Sequence, residues 1–442
     1  MRASHDLSRV SVNFTETNLI PNAGLLAAAM LAQRIDLAEL FDERLDLARH
    51  GASGGSKALT VIGSMLAGGD SIDDTAVLRA GAAGSLFDDT RAPSTIGTWL
   101  RAHKWSNVRQ HDAISRELLA RLWAAGAGPA DLTAPLTFDL DSSIVPVYGR
   151  GKQGAAFGYT KVRGYHPQFA TCAQTGMVLF SRLRGGAAGS ARGAKSFLTE
   201  TVSRVRSAGA TGQLTVRADS AFYSKAVLHT AVKFDVRFSV TVRQDNKIRA
   251  AIEAIDDSSW QPIPYWLSTP GVSGADVAET SYTPFSGKDA LTVRLIVRRV
   301  RPTPGSQLAL FTTWDYHAFV TNRDGEFLEL EADHRRHAIV EQRIAELKSA
   351  GLAHLPSGKF MANAVWLALT VMAHNLGRAV GRLGGPDLDT ATIATLRRKV
   401  FTVPGRLVSS ARRLTLKLPE SWPWATPIEA AIAKIQAIPL RC

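Results

Sequence analysis

The chain has 442 residues, 45% of them hydrophobic, which is enough for a sizeable core and two or three domains. Its 52 lysines and arginines exceed its 39 aspartates and glutamates, and the formal charge of +13 favours a polyanionic partner such as nucleic acid. The only cysteines, Cys172 and Cys442, exclude a disulfide framework and a cysteine-based zinc site. Because the longest apolar stretches are too short to span a bilayer and no signal core precedes them, we expect a cytoplasmic protein with no membrane partner.

The first 130 residues predict an all-α N-terminal domain. Apolar residues recur at helical spacing in 25–47, 59–66 and 114–123, and Pro93 begins a capped helix with a basic far end. None of these segments carries a recognisable recognition-helix pattern. A DNA-binding module and a helical bundle that only covers the core are therefore both open.

From about residue 134 the pattern changes to short β-rich runs bounded by glycine or polar turns. The predicted strands are PLTFDLDSSIVPVYG, PQFATCA, MVLFSRLR, QLTVRADS and VRFSVTVR, with helices over 194–207 and 223–233. Strands followed by alternating strands and helices indicate a mixed α/β sheet. We assign residues 131–247 to the first part of this core.

The remaining sequence divides into three predicted parts. Residues 248–315 are irregular and rich in proline before the alternating run LTVRLIVRRVR, which indicates a β-rich insertion. Residues 316–385 would complete the core with a helix over 327–350 and the apolar helix MANAVWLALTVMAHNLGRAV. Residues 386–442 form a predicted basic, helical C-terminal region that includes Arg397, Arg398 and Lys399.

Two strand segments end in carboxylates that could hold a metal ion. Asp139 and Asp141 lie two residues apart, so both point to the same face of the strand and periodicity cannot choose between them. Asp219 leaves a later strand at a βα junction, where open α/β sheets build their sites. Taken singly, each of these residues also fits an aspartate at a turn or helix cap.

A third carboxylate, Glu341, lies in the helical segment HRRHAIVEQRIAELK. Seven helical residues turn about 700°, so His334, Glu341 and Lys348 would share one face, with His337 one turn before the glutamate. The alternative is a solvated amphipathic helix. Phosphodiester cleavage assisted by two hard cations needs only a few converging acidic residues.

Read together, these segments resemble the IS4-like superfamily of DDE transposases, and within it the IS1380 family. The resemblance covers nearly the whole chain. It is carried by PNAGLLAAAMLAQRIDLAELFDERL, GSMLAGGDSIDDTAVLRAG, RAPSTIGTWLRAHKW, YGRGKQGAAFGYTKVRGYHP, RLRGGAAGSARGAKSF, VRADSAFYS, HAIVEQRIAELK and AHLPSGKFMANAVWLALTVMAHNL.

The resemblance implies a ribonuclease-H-like core in which three acids hold Mg²⁺, with Mn²⁺ as a substitute. It selects Asp141 as the first acid, Asp219 as the second and Glu341 as the third. The helical signature of such families is Tyr, two residues, Arg, three residues, Glu, six residues, Lys. Here the Glu and Lys positions are kept as Glu341 and Lys348, while His334 and His337 replace the Tyr and Arg that help grip the DNA end.

The resemblance also implies partners. These are the terminal inverted repeats of a mobile element, target DNA and a second copy of the chain on the paired end, with nucleoid association when bound. An aromatic residue of the insertion would stack on an extruded base, for which Trp260, Trp266 and Trp314 are candidates. A non-catalytic DNA-binding descendant and a nuclease without strand transfer are the main alternatives; a sugar hydrolase is a distant third.

Overall fold

The computed structural model describes residues 6–47, 53–158, 160–264, 274–301, 314–411 and 413–441. Its α-helices are α1 (Leu25–Arg34), α2 (Leu37–Arg44), α3 (Gly54–Ala67), α4 (Ala83–Leu86), α5 (Pro93–Ala102), α6 (Trp105–Leu122), α7 (Ala194–Ser207), α8 (Lys225–Lys233), α9 (Asn246–Glu253), α10 (Phe327–Arg335), α11 (Ile339–Lys348), α12 (Phe360–Leu383), α13 (Pro386–Asp389), α14 (Ile393–Leu396) and α15 (Ala425–Ala437).

The strands follow the alternating and apolar runs of the sequence. They are β1 (Leu19–Ile20), β2 (Leu136–Ser142), β3 (Val145–Pro146), β4 (Ala156–Phe157), β5 (Arg163–Tyr165), β6 (Gln168–Cys172), β7 (Val178–Arg182), β8 (Leu214–Ala218), β9 (Val236–Thr241), β10 (Gln261–Ile263), β11 (Ala275–Tyr282), β12 (Val293–Val300), β13 (Asp315–Thr321), β14 (Gly405–Ser410) and β15 (Arg413–Lys417).

A nine-stranded mixed sheet forms the centre of the fold, in the order β10-β11-β12-β13-β9-β8-β2-β6-β7. Strands β2, β6 and β7 form an antiparallel meander, while β8 pairs parallel to β2 and β9 pairs parallel to β8. The predicted insertion continues this sheet, because its strands β11 and β12 pair antiparallel outward from β13, which itself pairs antiparallel with β9. The carboxyl ends of β2, β8 and β9 therefore meet at one edge, where open α/β sheets place their sites.

One hydrophobic core joins the sheet to helices from both ends of the chain. The long helix α12 packs against α1, α3, α6 and α15 as well as against β7. A single buried cluster accordingly runs from Leu25 in the first helix to Ile435 in the last. None of the helices in the described ranges has the length and apolar character that crossing a membrane requires.

Three local features differ from the sequence predictions. The N-terminal region, predicted as all-α, contains the short strand β1, which pairs with β14. The C-terminal region, predicted as helical, contains the β14–β15 hairpin, which adds to β1; its alternating runs GRLVSS and RLTLK carry the period-two signal of strands. The helix predicted over 327–350 is interrupted by a 3-10 turn at Arg336–Ala338. Because each 3-10 residue turns about 120° rather than about 100°, His334 does not share a regular two-turn stripe with Glu341 and Lys348.

The contact between α12 and the edge of the sheet depends on a buried asparagine. Asn375 is 1% exposed, and its Oδ1 accepts from the Val178 backbone N–H at 2.8 Å while its Nδ2 donates to the Val178 carbonyl at 2.8 Å. Both backbone groups of this β7 residue are thereby satisfied by one side chain.

We predict that Asn375→Leu lowers the free energy of unfolding by about 2–5 kcal/mol, because it leaves the buried N–H and carbonyl of Val178 without partners. Urea denaturation followed by tryptophan fluorescence measures the change. The control is Asn13→Leu at an exposed position. Equal stability of the two variants would contradict the role assigned to Asn375.

Candidate active site

The register of the central strands brings the first two candidate acids side by side. Leu140 of β2 pairs with Ala218 of β8, and Asp141 and Asp219 are the next residues along their chains. Neighbouring strands lie about 4.8 Å apart, so the two carboxylates leave adjacent backbones at the same edge of the sheet. Their meeting therefore follows from parallel pairing.

Both strand carboxylates are held in an environment that disfavours their charge. Burial raises the pKa of Asp141 to about 6; the backbone N–H of Ser142, 2.6 Å from its Oδ1, lowers it, and the charges of Asp219 and Glu341 raise it. Burial likewise raises the pKa of Asp219, against a hydrogen bond from the Ala221 backbone N–H at 3.1 Å. Repulsion within this cluster is the condition that a bound cation would relieve.

The third candidate, Glu341, lies exposed in the first turn of α11, which packs on β2 and β6. Its charge acts on Asp141, so three separate elements contribute carboxylates to one electrostatic environment. Within the described part of the chain, no three Asp, Glu, His or Cys side chains are grouped closely enough to hold a metal ion. The oxygen donors suit a hard cation, but the side chains do not form a closed ligand shell.

Asp139, the alternative first acid, is committed elsewhere. Its side chain is 0% exposed and receives Nε and Nη2 of Arg217 at 2.8 and 2.9 Å. Nδ1 of His337 lies 2.9 Å from Asp139 Oδ1. Two positions that strand periodicity cannot distinguish thus have different environments: Asp139 is neutralised inside the fold, while Asp141 faces the other candidate acids.

Arg217 extends this pair to the segment that leads to Glu341. Its Nη1 donates to the backbone carbonyl of Asp333 at 2.6 Å and to Asp333 Oδ1 at 3.0 Å. Arg323 binds the other oxygen of the same carboxylate. Strands β2 and β8 are therefore tied to α10 through buried charged hydrogen bonds, which are stronger than neutral ones.

The structure corrects the expectation for His334. Its Nδ1 lies 2.8 Å from Ser239 Oγ and its Nε2 lies 3.0 Å from Thr241 Oγ1, while its ring stacks on Phe319 at 4.1 Å. Burial lowers the pKa of His334 to about 3. Neither ring nitrogen is left for a phosphate, because the imidazole serves as a buried link between β9 and α10.

The other residues of the helical signature lie next to the candidate acids. His337 bonds to Asp139, and its charge would lower the pKa of both Asp141 and Asp219. Lys348 Nζ donates to Ser143 Oγ at 2.6 Å, just beyond β2. Burial lowers the pKa of Lys348, whereas Asp141 raises it.

The basic C-terminal residues have separate environments. Arg397 Nε donates to the Leu66 carbonyl at 3.3 Å and its Nη1 to the Ser349 carbonyl at 3.2 Å, so its guanidinium caps the end of α3. The predicted DNA contact of Arg397 stays a prediction, to be made by a guanidinium that already bonds these carbonyls. Arg398 is exposed, whereas the Lys399 ammonium lies 5.3 Å from the ring centre of Trp424.

Two of the tryptophans predicted to stack on a base already contact an arginine side chain. The Arg299 guanidinium carbon lies 4.3 Å from the ring centre of Trp260 and 4.4 Å from that of Trp314. Both rings are half-buried and hold the cation between them. Trp266 lies outside the described residues.

Two residues beside the acids escaped the sequence predictions. Arg243 follows β9 at the edge of the sheet, is exposed, and lowers the pKa of Asp219 through its charge. His166 is 1% exposed and places its Nδ1 2.6 Å from the Ala188 carbonyl. Burial lowers the pKa of His166, and the charge of Asp219 raises it. The position of Arg243 just past a predicted strand could have marked it as a site residue. No feature of the sequence marks His166.

We predict opposite effects for two isosteric changes that lie two residues apart. Asp141→Asn should raise the free energy of unfolding of the metal-free protein by about 1–3 kcal/mol at pH 7, because it removes a buried charge whose pKa has risen from 3.8 to about 6. Asp139→Asn should lower it by about 3–5 kcal/mol, because Arg217 loses its buried counter-charge.

The pH dependence follows from the same shift. The folded protein holds the Asp141 proton more tightly than the unfolded chain does, so wild-type stability falls as the pH rises from about 4 through about 6. The advantage of Asp141→Asn should be absent at about pH 3 and complete above about pH 7. Urea titrations across this range measure it, and a destabilised Asp141→Asn variant at pH 7 would refute the assignment.

Comparison with known proteins adds a family. The sequence profile of the family described as "Transposase DDE domain group 1" matches residues 3–440. No curated protein matches the sequence.

A solved structure similar to this one is the cryo-EM structure of the piggyBac transposase synaptic complex with hairpin DNA. It is 12% identical, with 88% of this chain and 80% of that chain covered and a TM-score of 0.40. The family profile spans nearly the whole chain, and the protein therefore belongs to the DDE transposase domain group 1 family.

Proposed function

We propose that this DDE transposase cuts and rejoins DNA at the ends of an insertion sequence of the IS1380 type, with Asp141, Asp219 and Glu341 as metal ligands. The observation that carries the proposal is that Asp141, half-buried at the end of β2, is acted on by the charges of Asp219, just after β8, and of Glu341 on α11. Like charges gathered at a sheet edge destabilise a fold, and a functional site is the usual reason to keep them. Membership of the family supports the same reading.

The strand order supports a ribonuclease-H-like core. The meander β2-β6-β7 followed by parallel β8 and β9 gives the order β7-β6-β2-β8-β9, with the candidate acids at the ends of β2 and β8. The insertion then returns to the sheet through β13 before the helix that bears Glu341. Parallel pairing of β2 with β8 sets the first two acids side by side, and the proposal adds Glu341 of α11 as the third, although the three lie far apart in sequence.

A divalent cation fits the donor set, which consists of carboxylate oxygens alone. Mg²⁺, or Mn²⁺ in its place, would activate the attacking oxygen and stabilise the leaving one. Asp141 and Asp219 would hold one ion jointly, and Glu341 would complete a second site. Binding would also offset the repulsion that the charges of Asp219 and Glu341 exert on that of Asp141.

Other residues would position the DNA. Lys348, beside Ser143 at the end of β2, would bind a backbone phosphate next to the cleaved bond. Exposed Arg243 would provide a second phosphate contact at the same edge, and Arg398 and Lys399 contacts farther away. His337, bonded to Asp139, would hold α11 in place and contact DNA only through the face of its ring that remains accessible.

The proposed reaction has two steps. Water attacks the scissile phosphorus and the bond to the 3′-oxygen breaks, which frees a 3′-hydroxyl. That hydroxyl then attacks a phosphorus of the target DNA, and the target strand's own 3′-oxygen leaves. The proposed partners are the terminal inverted repeats, target DNA and a second copy of the chain on the paired end, with the protein in the cytoplasm and on the nucleoid when bound.

Two other functions use the same residues differently. A non-catalytic DNA-binding protein would bind the repeats without cutting them, although the clustered acids would then lack a purpose. A nuclease without strand transfer would release cut ends but form no joined product. Strand-transfer assays with a plasmid target separate these possibilities.

We predict that Asp141→Ala, Asp219→Ala and Glu341→Ala each slow cleavage of a labelled terminal-repeat duplex by at least about a thousandfold in Mg²⁺, because each removes a ligand that stabilises transition-state charge. Binding of the repeat should persist. The matched control is Glu329→Ala, an exposed carboxylate on α10. Binding without cutting by the wild type would favour the DNA-binding alternative. Cleavage lost in Asp139→Ala but kept in Asp141→Ala would reassign the first acid.

A separate prediction concerns Lys348. Lys348→Gln should reduce the slope of log K against log salt concentration for repeat binding by about one, since one phosphate contact is lost. Fluorescence anisotropy at several salt concentrations measures the slope. Lys434→Gln, at an exposed position of α15, serves as the control. Parallel slopes for Lys348→Gln and the wild type would remove Lys348 from the DNA contacts.

A further inference from the structure

A small three-stranded sheet projects from the chain between β2 and β6, and we call it the flap (residues 145–158 and 160–165). Its strands lie in the order β3-β5-β4, with Val145 paired to Tyr165 and Phe157 paired to Arg163. Two large aromatic side chains on the flap are open to solvent: Tyr148 is 88% exposed and Phe157 is 67% exposed. Neither contributes to the hydrophobic core.

The flap is held firmly to the body of the protein. Tyr165 Oη accepts from Asn363 Nδ2 of α12 at 3.3 Å, and the Gln153 backbone N–H donates to the Gly358 carbonyl at 2.9 Å. Gly186 packs so closely on the flap that an added Cβ would lie 2.1 Å from the Gly164 carbonyl oxygen. The exposed aromatic rings therefore project from an anchored platform, which lowers the entropic cost of using them for binding.

The flap also begins at the candidate active site. Val145 follows the strand that carries Asp141, and Lys348 bonds to Ser143 in the short segment between them. Ser142 Oγ lies 2.7 Å from Ser190 Oγ, in the glycine-rich loop that packs against the flap. A strand of DNA that reached Asp141 would pass beside these residues.

The charged side chains of the flap and of the segment that follows it in sequence are all basic. Between Asp141 and Glu200 the sequence contains no aspartate or glutamate. The lysines and arginines in this interval are Arg150, Lys152, Lys161, Arg163, Arg182, Arg184, Arg192 and Lys195. Arg150 and Lys161 are exposed, and Arg163 Nη2 fixes the turn next to Tyr148 by donating to the Arg150 carbonyl at 2.9 Å.

From these observations we infer that the flap is a stacking platform for unpaired bases of the DNA strand at the active site. Tyr148 and Phe157 stack on bases, while Arg150 and Lys161 contact the adjoining phosphates. Exposed aromatic rings among basic residues bind single strands in this way, because the faces of bases inside a duplex are already stacked. The inference rests on the proposed function, to which it adds a preference for melted or frayed DNA ends.

The test compares Tyr148→Ala/Phe157→Ala with the wild-type protein, using a labelled oligothymidine and a blunt duplex in fluorescence anisotropy. The double variant should bind the single strand at least about tenfold more weakly and the duplex within about twofold of the wild type. Tyr148→Phe should retain binding, because the ring remains. Phe14→Ala/Trp105→Ala removes two exposed aromatic rings outside the flap and is the matched control.

Each outcome decides a separate question. Equal single-strand affinity of the wild type and the flap variant, or no single-strand binding by the wild type, would overturn the inference. A change in sedimentation of the flap variant without a change in single-strand affinity would instead make the flap a contact between copies. The wild type could fail to cut DNA while the flap variant binds the single strand more weakly than the wild type does. In that case the proposed function fails and the stacking platform stands.

Discussion

The buried pair of Asp139 and Arg217 is the interaction on which the arrangement of the site depends. It joins neighbouring strands β2 and β8 one residue before their last pair, and Arg217 continues to Asp333 near the end of α10. An ion pair removed from water gains little net stability, because desolvation offsets the attraction, but its geometry is demanding. Its effect is to fix the register of both strands and the start of the helical segment that presents Glu341.

That constraint explains how the fold can keep repelling carboxylates together. Asp141 and Asp219 follow directly from the strands that the pair holds in register, so neither can move away without breaking the sheet. Burial raises the pKa of both carboxyl groups, so keeping them ionised at these positions costs stability. The hydrophobic core shared by α12, the N-terminal helices and α15 supplies the compensating stability.

Local patterns in the sequence predicted much of the fold and less of the site. The helix over 194–207 and the central strands were read from periodicity, because both depend on neighbours in sequence. The distinction between Asp139 and Asp141 depends on Arg217, which lies on another strand. The burial of His334 depends on Phe319, Ser239 and Thr241, and the capping role of Arg397 on α3; long-range packing of this kind leaves no local signal.

In the flap, by contrast, the charge pattern can be read from the sequence, but its position relative to the site cannot. The acid-free interval after Asp141 is visible in the sequence, yet its meaning appears only when pairing of Val145 with Tyr165 returns the chain to the edge of the sheet. Carboxylates are thus gathered at the ends of β2 and β8, while the surface that continues from them is basic. Under the proposed function, a phosphate backbone would be attracted by the second region and would approach the first only where a cation neutralises it, so this charge pattern would couple metal binding to the approach of DNA.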